Sequence, residues 1–280
     1  MQALAIRGEP RKLILPTATA ADNPFRRYGE TKRQEVRHPD VTGQTFAERV
    51  KRTREMLRSM KPEAVSQIIE FRRDLSFFQA LALAKKEGRL IVPNDVHDRI
   101  LTKLTGRKDK KYLKENYPVW TGTLVIYEKP DIPFGEQVVF SWERNKVKYS
   151  LSFEVPEQFQ GKVNCALVVE HPDFELIALE NNKFEFKVLD SKIQLIKGFP
   201  KENGWHMPHA ETGIPQGNEV KRSSDSRYIW RNGSSYLGPV ARGVGIGGNN
   251  RRQDVYAFCR STDRFGVAFI GLGEAMPKEG

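Results

Sequence analysis

Beyond Tyr117 the chain is a succession of short runs of β-branched and aromatic residues with no long helical pattern between them, and this limits the available folds most. The runs are TGTLVIYEK, EQVVFSWE, NKVKYSLSFEV, KVNCALVVE, FELIALE, KFEFKVL and SKIQLIK. In KVKYSLSFEV, Val147, Tyr149, Leu151, Phe153 and Val155 fall on one face, with Lys148, Ser150, Ser152 and Glu154 on the other. A period of two marks half-buried strands. Turn residues punctuate the runs at Pro130 to Gly135, Arg144–Asn145, Pro156 to Gly161, Asn181–Asn182 and Asp190–Ser191. Six or seven such strands without crossover helices predict an antiparallel β-sandwich or barrel-like domain, and the missing βαβ pattern argues against a Rossmann unit. DVYAFCRS and RFGVAFIGLG, near the end, are expected to return to the sheet. The stretch 198–250, dense in glycine, proline, serine and asparagine, reads as a long Gly-rich loop region.

Upstream the period is helical. Thr45 and Glu48 form a capping box, after which Phe46, Val50, Leu57 and Met60 share one side, with Lys51, Arg52, Arg54 and Arg58 largely away from it. Pro62 suits the first turn of a second helix, whose stripe of Val65, Ile68 and Ile69 runs on to about Arg73. Ser76 and Gln79 open a third helix that stops at Gly88, and Asn94 caps a fourth. The fold class is therefore α+β, a small N-terminal helical region followed by the β domain. Residues 1–43 read as an extended basic arm, 44–115 as a small basic helical domain and 116–280 as the antiparallel β domain.

Charge follows the same division. The net charge is +11, and residues 1–115 carry all of it, with 26 basic and 15 acidic side chains. Residues 116–219 are acidic, whereas 220–264 hold 9 basic residues against 3 acidic. Such a balance steers a protein toward phosphate-rich or acidic partners and carries no chemistry of its own. No run of 18 apolar residues occurs, so no helical membrane span and no membrane partner is expected. Two cysteines, Cys165 and Cys259, cannot make a cysteine zinc site or a disulfide framework. That usage suits a cytoplasmic protein, or a component of an intracellularly assembled particle.

Two groups of residues stand out. WHMPHAE brings His206, His209 and Glu211 together, two imidazoles and a carboxylate suited to zinc or to acid/base chemistry. The spacing departs from the zincin helix, and Pro208 opposes a regular helix there, so a metal-dependent or acid/base hydrolase or nuclease is the alternative rather than the first expectation. The second group is Arg227, Tyr228, Trp230, Arg231, Tyr236, Arg242, Arg251 and Arg252, a candidate binding surface. Arginine forks beside aromatic faces suit a single-stranded nucleic acid, RNA or DNA, and equally a protein interface. The run Gly243 to Gly248 formally matches G-x-G-x-x-G but leads toward a strand instead of a helix, and no cofactor is expected from it. The leading expectation is a non-enzymatic binding or structural assembly protein that contacts itself, another protein or a phosphate-rich partner.

Overall fold

The structure, a computed structural model, describes residues 45–103, 118–231, 233–243 and 254–272. All of them belong to one compact unit, Val36–Gly280. The expected arm, residues 104–115 at the end of the expected helical domain, the glycine run beyond Gly243, and Arg251 and Arg252 lie outside the described residues.

Four helices alternate with two strands at the start: α1 (Phe46–Ser59), α2 (Pro62–Ile68), β1 (Glu70–Leu75), α3 (Phe77–Glu87), β2 (Arg89–Ile91) and α4 (Asn94–Lys103). Local chemistry sets several boundaries. Thr45 with Glu48 and Ser76 with Gln79 form complete capping boxes, and α3 ends on Gly88 in the left-handed conformation at φ +63°. The helical stripe expected to reach Arg73 stops at Ile68, because residues 70–75 are drawn into a ladder with the last strand, β15 (Phe265–Gly271). β2 adds to the same strand. Leu57, Met60, Val65, Leu90, Val92, Val96, Ile100 and Leu101 therefore share one core cluster with Ala268 and Ile270.

The remaining strands are β3 (Val119–Tyr127), β4 (Gln137–Arg144), β5 (Val147–Glu154), β6 (Cys165–Glu170), β7 (Phe174–Ala178), β8 (Lys183–Val188), β9 (Gln194–Lys197), β10 (Gly204–Pro208), β11 (Pro215–Gln216), β12 (Arg227–Arg231), β13 (Tyr236–Gly243) and β14 (Asp254–Ala257). Among the described residues eleven strands form a large sheet, with the path β1-β15-β3-β13-β14-β12-β10-β11 and β2, β6 and β9 branching from it. The other four form a small sheet in the order β4-β5-β8-β7. Left-handed residues close its two hairpins: Asn145 and Lys146 between β4 and β5, Asn181 and Asn182 between β7 and β8. Phe140 meets Tyr236 edge-on at 4.9 Å across the two sheets.

Three expectations are corrected. Among the described residues neither sheet closes into a barrel. The strands are not all antiparallel, since β3 with β15, β5 with β8, and β12 with β14 pair in parallel, each across a long stretch of chain. The stretch 198–250 is not one loop, for β10, β11, β12 and β13 lie within it. Its prolines had suggested a loop, yet Pro208 and Pro215 face each other in the terminal β10–β11 pair, and Pro239 sits where the β13–β3 register shifts. Edges and bulges are where strands tolerate proline.

Candidate binding face

Strands β10 and β12 alternate between buried and half-buried or exposed residues, and on β14 the ring side carries Tyr256 together with the buried Asp254, whose Oδ2 accepts from Trp230 Nε1 at 3.3 Å and from the Tyr256 hydroxyl at 3.4 Å. Register pairs Trp205 with Tyr228 and Trp230 with Tyr256, which puts these rings on one face. Their centroids lie 5.4 Å (Trp205–Tyr228), 5.0 Å (Tyr228–Trp230) and 6.2 Å (Trp230–Tyr256) apart, and Phe258 extends the row another 5.9 Å. All five are half-buried, so each keeps part of its ring surface open. The Arg222 guanidinium lies 5.3 Å from the Trp205 ring. At the Phe258 end the row enters a cleft of about 570 Å³ whose opposite wall is β4, through Phe140, Ser141, Trp142 and Glu143.

The other side of β12 and β13 carries arginines, and these point inward. Arg227 grips Asp98 of α4 bidentately, Nε to Oδ1 at 2.6 Å and Nη2 to Oδ2 at 2.9 Å. It also donates to Thr102 and to the carbonyls of Ser224 and Ser226. Arg242, 1% exposed, donates from Nη2 to Asp98 Oδ1 at 2.7 Å. Burial pushes its guanidinium below the ordinary range, while Asp98 and Asp254 favour the charge. Arg231 lies 4.4 Å from the Tyr127 ring and 5.4 Å from Phe199, and donates to the carbonyls of Glu128 and Pro200. Tyr236 is fully buried, its hydroxyl 2.7 Å from the Cys259 carbonyl, and burial raises its pKa. Of the expected surface, then, Tyr228 and Trp230 stand on the open face, whereas Arg227, Arg231, Tyr236 and Arg242 are interior. Sequence reading singled out neither Trp205 nor Tyr256 nor Phe258 for the surface. The available signal was the alternation of Tyr228 and Trp230 with Ile229, and of Tyr256 and Phe258 with Val255 and Ala257, which places every second residue, the rings, opposite the core.

The three residues of the alternative metal or acid/base reading are spread over β10 and the turn that follows it. His206 sits on β10 level with Arg227, buried, with Nδ1 3.0 Å from the Gly217 carbonyl. His209 lies in the following turn, with Nδ1 3.3 Å from Thr212 Oγ1, and Glu211 is exposed. Among the described residues no three His, Cys, Asp or Glu side chains gather as a metal-ligand set. The turn instead docks on α4, where Asn94 Nδ2 donates to the Thr212 carbonyl at 2.7 Å. A second ionic cluster lay hidden in the basic face of α1. Arg54 donates to Asp173 at 2.7 Å and to the carbonyls of Glu170 and His171, and Arg58 bridges Asp95 at 2.8 Å and Glu170 at 2.6 Å. Burial raises the Glu170 carboxyl despite these partners. The cluster ties α1 to α4 and to the end of β6, and its charges are answered internally. Set against known proteins, the chain matches no family model, no curated protein and no solved structure.

Proposed function

We propose that this is a non-enzymatic binding or assembly protein that captures a protein partner on the aromatic face of β10, β12 and β14. The observation carrying this reading is the five-ring row from Trp205 to Phe258, standing on a face from which Arg227, Arg231 and Arg242 are turned away. A polynucleotide track needs several cations aimed along a backbone beside its stacking rings. A protein interface needs a compact aromatic centre with charges at the rim, and Trp, Tyr and Arg dominate the binding energy of such surfaces. Here the rim charges are Lys221, Arg222 and Arg260, all exposed.

The test is co-purification from the native source at low and high salt, with absorbance at 260 nm recorded on the eluted peak. The wild-type protein retains a protein partner at both salt concentrations, and Trp230→Ala loses it at both. A nucleic-acid peak that weakens steeply with salt and disappears in Trp230→Ala would overturn the reading in favour of a polynucleotide.

A further inference from the structure

The cleft at the Phe258 end of the row runs beside a strand edge with free hydrogen-bonding capacity. Among the described residues β4 is the terminal strand of the small sheet, and its eight residues pair with β5 in continuous register from Gln137↔Glu154 to Arg144↔Val147. Val155 N–H donates to the Glu136 carbonyl at 2.8 Å, which makes Glu136 and Val155 a hydrogen-bonded pair of this ladder. Pairing alternates along an antiparallel ladder, so Val138, Phe140, Trp142 and Arg144 bond toward β5, whereas Val139, Ser141 and Glu143 direct their N–H and C=O groups to the other edge. Among the described residues nothing accepts or donates to these backbone groups. Natural edge strands are commonly blunted by proline, lysine, bulges or short length. β4 runs for eight residues without proline, lysine or a bulge, its two charged residues, Glu143 and Arg144, fall at its last two positions, and it exposes Val139.

We infer that this edge accepts an added strand: an extended segment of a separate protein partner pairs with Val139, Ser141 and Glu143 and lays alternate apolar side chains onto Tyr256, Phe258 and Trp230. The inference rests on the protein-capture reading above and names the form in which the partner is held. Alternate side chains of a strand recur at about 6.6–6.8 Å, close to the 5.9 Å between the Tyr256 and Phe258 rings. Main-chain bonds supply affinity in this mode, and the floor under every second side chain supplies specificity. The incoming segment also meets two exposed charges of opposite sign in the cleft, Glu143 and Arg260, neither in an ion pair among the described residues. Its chemistry is therefore a non-proline strand, apolar at alternate positions, with a basic residue for Glu143 and an acidic one for Arg260.

Topology argues against a second copy's β4 as the occupant. The small sheet ends at β4, while the large sheet continues past β13 through β14, β12, β10 and β11. Two copies joined edge to edge through β4 would drive these overhanging strands into one another. A single extended chain fits on the overhang.

The probe is a displayed library of eight-residue peptides selected against the intact protein, with the best binder then synthesised. Selected sequences should alternate apolar and polar residues, and N-methylation of the alternate amides that face β4 should weaken binding at least tenfold, while methylating the other set leaves it within twofold. Ser141→Pro removes an outward N–H and leaves the ladder to β5 complete, so it should weaken the peptide at least tenfold with an unchanged thermal melt, and Ser141→Ala should bind as wild type. Binding insensitive to both Ser141→Pro and N-methylation, yet abolished by Trp230→Ala, overturns strand addition and leaves the aromatic-face reading standing. A library with no binder that depends on Trp230 overturns both. A wild-type dimer in light scattering that Ser141→Pro converts to monomer overturns the choice of a separate partner.

Discussion

Replacing Asp98 by alanine is expected to be the most damaging single change in the polar interior. Its carboxylate receives three charge-assisted hydrogen bonds of 2.6, 2.9 and 2.7 Å from two arginines whose side chains are 5% and 1% exposed. Removing one member of a buried pair leaves the other charge uncompensated, at a cost of about 3–5 kcal/mol. The two arginines are unequally protected. Arg227 keeps Thr102 and two carbonyls, whereas Arg242 Nε and Nη1 have no hydrogen-bond partner among the described residues. Asp98→Ala should therefore fall near the upper end, about 4–5 kcal/mol, against a total of roughly 5–15 kcal/mol for a typical protein. With a urea dependence of about 2 kcal/mol per molar, the midpoint of equilibrium unfolding should drop by about 2 M. Arg242→Met introduced into the Asp98→Ala background should return at least about 1.5 kcal/mol, because it removes the stranded cation. A loss below about 1 kcal/mol for Asp98→Ala, or strict additivity of the two changes, would refute the claim that a buried ionic knot holds α4 to the sheet.

Acid should destabilise the fold through two buried histidines. His97 and His171 are held down to about 3, first by burial and then by Arg242 and Arg54 respectively. The unfolded chain takes up protons near pH 6.5, so stability is present above that value and is lost as pH falls from about 6.5 to about 3, by up to about 5 kcal/mol per histidine. Urea midpoints at pH 7 and pH 4 check this, and His171→Gln should flatten the slope; equal midpoints in the wild type would refute it. Glu170 acts with the opposite sign, since its raised carboxyl favours the fold at low pH and loses that contribution as pH rises through its folded-state titration. Arg54→Ala, which strips Asp173 and two carbonyls of a donor, should cost about 2–3 kcal/mol, while Lys51→Ala, in a fully solvated pair with Glu55, should stay within about 0.5 kcal/mol in the same assay. Gly122→Ala should lower the melting temperature sharply, because an added Cβ would stand 2.2 Å from the Ile91 carbonyl oxygen; an unchanged melt would show that β2 and β3 can separate freely.

The sequence alone determined most of the secondary structure, and the reason is local. Capping boxes at Thr45 and Ser76, the left-handed stop at Gly88 and the Asn181–Asn182 turn act over a few residues, so they are legible without knowledge of the fold. Alternation in KVKYSLSFEV likewise announces which side chains face the core. Tertiary structure decided the rest. Residues 70–75 become a strand because a partner from the far end of the chain, β15, supplies the ladder. Proline and glycine disguised β10 to β13 as loop, since a proline's cost depends on whether its missing N–H faces a neighbour, and only the assembled sheet fixes that. The candidate site shows the same division. In RYIWR the alternation is plain and Ile229 marks the core side, yet Arg227 and Arg231 share that side, and nothing local explains how two arginines are accommodated there. Asp98, more than a hundred residues earlier in sequence, supplies the counter-charge that draws Arg227 and Arg242 into the interior, and the rings of Tyr228 and Trp230 are left on the open face as a consequence.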